Sequence, residues 1–279
     1  MKRNLHFAGR AVGLRVTGPA SCALVDFMFG HMPAQGRARP HVFLTLKDAP
    51  DDGSAETEIC LTLPGDSQVL RGPASQVVLR LLTEVDYHLA DRCRAGLYLH
   101  AASLVRDGQV LLMPAPSGSG KSTLTYWLTR NGFHYLSDES SFIPLGGQAC
   151  SGFTRPTHLK KGSLALFPNL EDQPHQEVRW ADNSLFGWLI GTAALNPLPG
   201  SAALPIRQIV FPHYQSGGRL ETERLSPARA AFELAGFLTN ARNLPEHGFP
   251  EILRLARSLP AWRLGYGDFA QLEEFIRSF

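Results

Sequence analysis

The chain has 279 residues, of which 44% are hydrophobic and 19% charged, and its 27 basic and 25 acidic side chains leave a formal charge of +2. This near-neutral charge gives no reason to expect nucleic acid or a membrane as a partner, and at about 150 residues per domain the length predicts two domains. The four cysteines are scattered without metal-site spacing, so they are expected to be reduced thiols. Arg10 and Arg15 interrupt the apolar run that a signal peptide needs, which predicts a cytoplasmic protein.

The first part of the chain has the composition of a β-rich domain. Residues 42–46 and 58–63 are predicted strands, and residues 48–54 between them are rich in Asp, Pro and Gly, which favour turns. Apolar residues at helical spacing predict a helix over 77–89. We therefore expect an N-terminal domain over 1–95, and its position beside the second domain suggests docking as its role.

The remaining residues, 96–279, alternate between strand-like and helix-like segments, which predicts a mixed α/β domain. An Asp-Gly pair between its first two strands predicts a hairpin. Ser226 followed by Pro227 predicts the start of a helix that runs towards Asn240. The other predicted elements are strands at 97–105, 110–113, 133–136, 206–211 and 262–264, a helix at 122–130, and a final helix after Asp268.

A glycine-rich loop follows the predicted strand at 110–113. The sequence Ala-Pro-Ser-Gly-Ser-Gly-Lys-Ser at 115–122 has the spacing of a phosphate-binding loop, with Ala115 in place of the usual first glycine. Small residues let backbone N–H groups surround phosphate oxygens, Lys121 can reach the terminal phosphates, and Ser122 can bind Mg²⁺. The alternative is a Ser/Gly turn that happens to contain a lysine. The predicted nucleotide-binding residues of the loop are Ser117, Gly118, Ser119, Gly120, Lys121, Ser122 and Thr123.

Two adjacent carboxylates, Asp138 and Glu139, follow the predicted strand at 133–136. Ligands of doubly wound sheets collect at the carboxyl ends of strands, so we expect at least one carboxylate to face the phosphates, on a strand adjacent to the one feeding the loop. One could hold a metal ion while the other accepts a proton from an attacking hydroxyl. A solvated acidic turn or a helix N-cap is the alternative. His100, on the strand at 97–105, is by its pattern alone most simply a core histidine.

The order of these features resembles the HPr serine kinase/phosphorylase superfamily, and more closely its HprK-related kinase A branch. The resemblance covers roughly residues 97–279 and, less specifically, the N-terminal segment. It is carried by His100-Ala101, the phosphate loop and Asp138-Glu139, which follow the order of the family's His-Gly, loop and Asp-Asp. Residues 155–161, 210–214 and 262–268 resemble the related branch. It implies an α/β fold with a P-loop kinase core of the HPr kinase/PEP-carboxykinase type and a smaller β-rich N-terminal domain. It also implies ATP and Mg²⁺ as cofactors.

Carried over residue by residue, the resemblance implies that Lys121 and Ser122 contact the nucleotide and the metal ion. Asp138 matches the carboxylate that acts as base towards an acceptor serine, and Glu139 matches the second carboxylate. His100 matches the active-site histidine. The expected metal ligands are therefore Ser122, Glu139 and Asp138, and the expected catalytic residues are Asp138, His100 and Lys121.

The chain also departs from the family pattern. Ala101 stands where the family has glycine, Glu139 stands where it has a second aspartate, and the C-terminal run like Glu-Val-Arg-Gly-Leu-Gly is missing. That run is tied to the phosphorylase activity and to hexamer assembly, so neither is implied here, and a homo-oligomer stays open. The related branch implies a peptide or small carrier protein as phosphate acceptor, with a peptide-chaperone protein as a further partner.

A basic cluster, Arg155, Lys160 and Lys161, follows the carboxylates along the chain. It predicts either a solvated surface patch or a clamp on the γ-phosphate or a substrate anion. For the clamp, Arg155 and Lys160 are the expected residues, because Pro156 stiffens their loop.

These features predict an ATP- and Mg²⁺-dependent serine kinase that transfers the γ-phosphate to a hydroxyl of a peptide or small carrier protein. Two alternatives stay open. One is a nucleotide-gated binding module or ATPase without phosphotransfer, and the other is a kinase of a small hydroxylated metabolite.

Overall fold

The computed structural model describes residues 1–32, 38–50, 56–65, 69–198 and 203–277. The chain forms two compact units, each made of two stretches of sequence. The first unit consists of Met1–Cys93 and Arg155–Ala194, and the second of Arg94–Thr154 and Leu195–Phe279. The predicted domain boundary after residue 95 lies close to the first boundary between the units. Residues 155–194, however, belong with the N-terminal unit rather than with the rest of 96–279.

Among its described residues, the first unit contains two sheets and three α-helices. Its five-stranded sheet, in order along the sheet, consists of β1 (Lys2–Phe7), β2 (Arg10–Thr17), β3 (Phe43–Asp48), β4 (Ile59–Thr62) and β5 (Val69–Gly72). Its three-stranded sheet has β13 (Leu185–Ile190) between β11 (Thr157–Lys160) and β12 (His175–Arg179). Its helices are α1 (Pro19–Phe29), α2 (Ala74–Ala90) and the short α4 (Lys161–Leu164).

The helix predicted over 77–89 is confirmed as α2. Its apolar residues at helical spacing are all buried, which explains why a helix forms here and which face it packs inwards. They are Val77, Val78, Leu81, Leu82, Val85 and Leu89. Strands β3 and β4 confirm the two predicted strands, while residues 51–55 of the turn between them lie outside the described residues. Helix α2 also packs against β12, which is why 155–194 joins this unit.

The second unit is built on one large sheet with helices on both faces. Its strands are β6 (Gly96–Arg106), β7 (Gln109–Pro114), β8 (His134–Ser137), β9 (Ser140–Pro144), β10 (Ala149–Gly152), β14 (Leu204–Tyr214), β15 (Glu221–Arg224) and β16 (Ala261–Tyr266). Its helices are α3 (Lys121–Arg130), α5 (Pro227–Ala235), α6 (Phe249–Ser258) and α7 (Leu272–Arg277). These elements confirm a mixed α/β unit.

The two faces of this sheet carry separate apolar clusters. Leu124 and Leu128 of α3 and Leu272 of α7 pack with buried residues of the sheet on one side. Ala230 of α5 and Leu255 of α6 belong to the cluster on the other side. Successive side chains of a strand point to opposite faces of the sheet, which produces the two clusters. The loops are left at the ends of the strands.

Most predicted elements of this unit are confirmed, with local differences. Asp107 and Gly108 both have positive φ, as a two-residue hairpin between β6 and β7 requires. Ser226 accepts a hydrogen bond from the N–H of Arg229 and begins α5, as predicted. That helix ends at Ala235, short of Asn240, because Gly236 follows and the chain turns to bond with β6.

Strands β7, β8, β14 and β16 run in one direction, as β9 also does, and these first four end at the same edge of the sheet. Strand β14 is parallel to both β7 and β16, and β6 is antiparallel to both β7 and β8, so β7, β8, β14 and β16 are parallel. The carboxyl ends of β7 and β8 therefore lie at the same edge of the sheet, as predicted. The expectation that β8 is adjacent to β7 is wrong, because β6 pairs with both and lies between them.

Within the ranges that the structure describes, no helix combines the length and the apolar character needed to cross a membrane.

Candidate functional site

The glycine-rich loop connects the carboxyl end of β7 to the first residue of α3. Gly118 and Gly120 have φ values of 90° and 85°, a left-handed conformation that glycine adopts without strain. A Cβ on Gly120 would lie 2.9 Å from the Tyr266 hydroxyl oxygen and 2.9 Å from Tyr214 Cβ, so the loop also needs glycine here for space. The first turn of an α-helix leaves N–H groups that are available to a ligand, and α3 begins with Lys121 directly after the loop. This is the strand–loop–helix context that a phosphate-binding loop requires.

Ser119 lies within this loop with its hydroxyl buried. Ser119 Oγ has no hydrogen-bond partner in the described part of the chain. A buried hydroxyl without a partner loses its hydration without compensation, so such groups in native proteins usually bond to an ion or a water molecule. A phosphate oxygen would supply the partner that this hydroxyl lacks.

Lys121 connects the loop with the carboxylate segment. The side chain is only 5% exposed, and its Nζ donates a hydrogen bond to the backbone carbonyl oxygen of Asp138. The same Nζ lies 3.8 Å from Glu139 Oε2. The ammonium group therefore stands between the loop and the two acidic residues, where the terminal phosphates of a bound nucleotide would lie.

The Asp138 side chain is held inside the unit. The residue is 2% exposed, and its Oδ1 accepts a hydrogen bond from the Tyr135 hydroxyl at 3.1 Å. The backbone N–H of Asp138 donates to the same hydroxyl oxygen at 3.1 Å. Tyr135 therefore fixes both the backbone and the carboxylate of Asp138.

Glu139 is the more accessible of the two carboxylates. Its side chain is 32% exposed, and its Oε1 lies 2.7 Å from Nδ1 of His100. The turn that presents it is closed by Ser137, whose Oγ accepts hydrogen bonds from the N–H groups of Glu139 and Ser140 at 3.2 and 3.0 Å. His100 is half-buried and joined to Glu139, so the expectation of a simple core histidine is wrong.

The donor set suits Mg²⁺. This ion prefers oxygen ligands and usually takes one or two carboxylates, with phosphate and water oxygens in the remaining positions. Ser122 supplies a hydroxyl at the start of α3, and Asp138 and Glu139 supply carboxylates. Among the residues that the structure describes, no group of three or more His, Cys, Asp or Glu side chains forms a metal cage. Phosphate and water oxygens would complete the coordination of an ion held by these residues.

Arg155 and Lys160 belong to the first unit. Arg155 is buried, and its Nε lies 3.4 Å from Oδ2 of Asp86 on α2. The solvated patch is therefore wrong for Arg155. The Lys160 Nζ lies 5.9 Å from the centre of the Phe186 ring. Both contacts are made inside the first unit, so a role for either side chain in phosphate binding stays a prediction.

Replacing Arg155 by alanine is expected to destabilise the protein by about 3 kcal/mol, because it leaves the half-buried Asp86 carboxylate without this cation. Urea denaturation of the variant measures the loss, and the exposed Arg130→Ala is the matched control. Asp86→Ala and the Asp86→Ala/Arg155→Ala double variant complete a cycle that measures the interaction free energy of the pair. An Arg155→Ala protein of wild-type stability that transfers less phosphate would contradict this structural role and favour the phosphate clamp.

Two neighbours of the site, Tyr135 and Tyr214, carry no signal in the sequence. Tyr135 lies three residues before Asp138, but a tyrosine in a buried strand gives no sign that its hydroxyl bonds a carboxylate. Tyr214 lies at the end of β14, where its N–H donates to the Ser119 carbonyl oxygen at 3.0 Å. Its distance from the loop along the chain hides this contact from any local motif.

The structure thus brings Lys121, Asp138, Glu139 and His100 together beside the loop, and it assigns Arg155 and Lys160 to the other unit. Comparison with known proteins adds no assignment: no protein-family model matches the chain, and no curated protein matches it significantly.

Proposed function

We propose that the protein is an ATP- and Mg²⁺-dependent serine kinase with a P-loop kinase core of the HPr kinase/PEP-carboxykinase type. The observation that carries the proposal is the position of Lys121, whose ammonium group bonds Asp138 and lies 3.8 Å from Glu139 while its helix begins at the loop. A phosphoryl group held by the loop would therefore lie beside the Asp138 backbone and the Glu139 carboxylate. The acceptor would be a hydroxyl of a peptide or small carrier protein, and the compartment would be the cytoplasm.

The chemistry follows from the charges at this edge of the sheet. The loop N–H groups and Lys121 would hold the phosphates and stabilise the negative charge of the transition state. Ser122 and Glu139 would hold Mg²⁺, which when bound neutralises phosphate charge. Asp138 would orient the acceptor hydroxyl and take its proton as the new oxygen–phosphorus bond forms and the bond to ADP breaks. His100 would orient Glu139 through their 2.7 Å contact.

The test is transfer of label from γ-labelled ATP, with Mg²⁺, to serine-containing peptides and to the proteins encoded beside this gene. Label on a serine of a peptide or protein supports the proposal. Label on free serine or a sugar would favour a metabolite kinase. Failure of wild-type protein to bind ATP, or to move label from bound ATP to any acceptor, would contradict the kinase.

A second candidate, an ATPase without phosphotransfer, is favoured by one observation. Asp138 is 2% exposed and bonded to Tyr135, whereas Glu139 is 32% exposed and paired with His100, so Glu139 is better placed to take a proton from water. The measurement is release of free phosphate. If hydrolysis is the reaction, Glu139→Gln should reduce release by about 10²–10⁴-fold and Asp138→Asn should affect it less.

A further inference from the structure

A pair of tyrosines flanks the loop on the side away from the carboxylates. In the order of strands, β8 and its carboxylates lie beyond β6 on one side of β7, and β14 and β16 lie on the other. Strands β14 and β16 end at Tyr214 and Tyr266, at the same edge as the loop. The two sides of the loop thus differ in chemistry, acidic on one and aromatic on the other.

This asymmetry gives a bound nucleotide a direction. The Lys121 ammonium group bonds Asp138, so the terminal phosphate belongs on the carboxylate side. A nucleotide is extended, and its nucleoside must leave the loop away from that phosphate. The carboxyl end of β14 is the part of the sheet edge on that side.

Tyr214 is fixed against the loop and yet open to solvent. Its backbone N–H donates to the Ser119 carbonyl oxygen at 3.0 Å, and its Cβ lies where a Cβ on Gly120 would collide. The residue is 40% exposed. An aromatic residue that is held against the loop backbone and is 40% exposed can offer its ring to a ligand.

Tyr266 packs against the Tyr214 ring. It is 2% exposed, and its ring centre lies 5.6 Å from that of Tyr214 at an interplanar angle of 60°. Burial raises the pKa of the Tyr266 phenol, so it stays neutral and serves as packing. The exposed ring therefore rests on a fixed neighbour and loses little freedom when a planar ligand stacks on it.

We propose that Tyr214 is the stacking platform for the nucleoside base, a specificity-determining contact that rests on the proposed nucleotide-binding function. Stacking uses the π-face that every base has, so this contact favours a nucleoside over bare phosphate without selecting adenine over guanine.

The experiment compares ATP with inorganic tripolyphosphate, which lacks the nucleoside, by calorimetry in the presence of Mg²⁺. Tyr214→Ala should weaken ATP and GTP binding by roughly tenfold each and leave tripolyphosphate affinity within about twofold of wild type. Tyr214→Phe keeps the ring and should bind ATP like wild type. Melting temperatures of both variants show whether the loop still folds.

The outcomes separate this inference from the kinase proposal. If wild-type protein binds neither ATP nor tripolyphosphate, the nucleotide site itself is wrong. If wild-type protein binds ATP and Tyr214→Ala binds it equally well, or loses ATP and tripolyphosphate alike, the platform is wrong while the nucleotide site stands.

Discussion

Replacing Asp138 by asparagine is expected to reduce phosphoryl transfer by about 10²–10⁴-fold while ATP binding stays near that of wild type. The amide removes the ability to take a proton from the acceptor hydroxyl. Its oxygen can still accept the hydrogen bond from the Tyr135 hydroxyl that the carboxylate accepts at 3.1 Å, so the local structure should persist. Single-turnover transfer from γ-labelled ATP measures the first effect and calorimetry the second.

The matched control is Asp107→Asn in the exposed hairpin of the same unit. Asp107 has a φ of 51°, a conformation that asparagine accepts, so this variant should transfer phosphate at the wild-type rate. A Tyr135→Phe variant tests the support of Asp138. It should lower the transfer rate by less than Asp138→Asn, with ATP affinity unchanged. Wild-type transfer by Asp138→Asn would show that Asp138 is not the base.

The burial of Asp138 adds a condition to this role. At 2% exposure the Asp138 carboxylate is shielded from solvent, so an acceptor hydroxyl can reach it only if the surrounding segment opens. Lys121 bonds the Asp138 carbonyl oxygen, and a bound phosphate would compete for that ammonium group. Nucleotide binding would then loosen the Asp138 segment at the moment when the base is needed. This coupling would limit proton transfer to protein that holds ATP.

Elements formed by local pattern were predictable from the sequence. Helix α2 follows from apolar residues at helical spacing, and the hairpin at Asp107-Gly108 follows from residues that tolerate positive φ. The loop before α3 is also a local signal, because glycines and a lysine at fixed spacing serve one backbone shape. In each case the physical cause lies within a few residues of the effect.

Features that depend on distant pairing were not predictable in the same way. The placement of β6 between β7 and β8 is a matter of topology, so carboxylates expected on an adjacent strand lie one strand further away. The sequence groups Arg155 with Lys160 and Lys161 in a basic cluster, yet in the structure Arg155 pairs with Asp86, which lies on α2. A single sequence shows the charge of a side chain and not the partner that the fold brings to it.

Residues 155–194 illustrate the same limit for domains. Near residue 96 the sequence changes from β-rich to alternating strand-like and helix-like segments. This change predicts two domains, each formed by one continuous stretch of the chain. The three-stranded sheet of β11, β13 and β12 nevertheless folds with the first unit, where β12 packs on α2. The two units are built from four alternating segments of the chain. The boundaries at residues 154 and 194 leave no mark in the composition, because each joins ordinary strands and loops.

Replacing Lys121 by alanine is expected to weaken ATP binding by about ten- to a hundredfold, since a charged hydrogen bond to phosphate is worth about 1.5–3 kcal/mol. Transfer from the ATP that still binds should fall by a further 10²–10³-fold or so, because the ammonium group also stabilises charge in the transition state. Calorimetry measures the affinity and single-turnover transfer at saturating ATP measures the rate. The loss of bonding to Asp138 should be visible as a lower melting temperature.

Two variants separate the charge of Lys121 from its packing. Lys121→Met keeps most of the buried chain length, so it should restore melting temperature relative to alanine but not ATP affinity. Lys47→Ala removes an exposed lysine from β3 and should change neither quantity. If Lys121→Met binds ATP as tightly as wild type, the ammonium group does not contact phosphate. Its bonds to Asp138 and Glu139 would then be structural, and the loop would lack the cation on which the proposed chemistry depends.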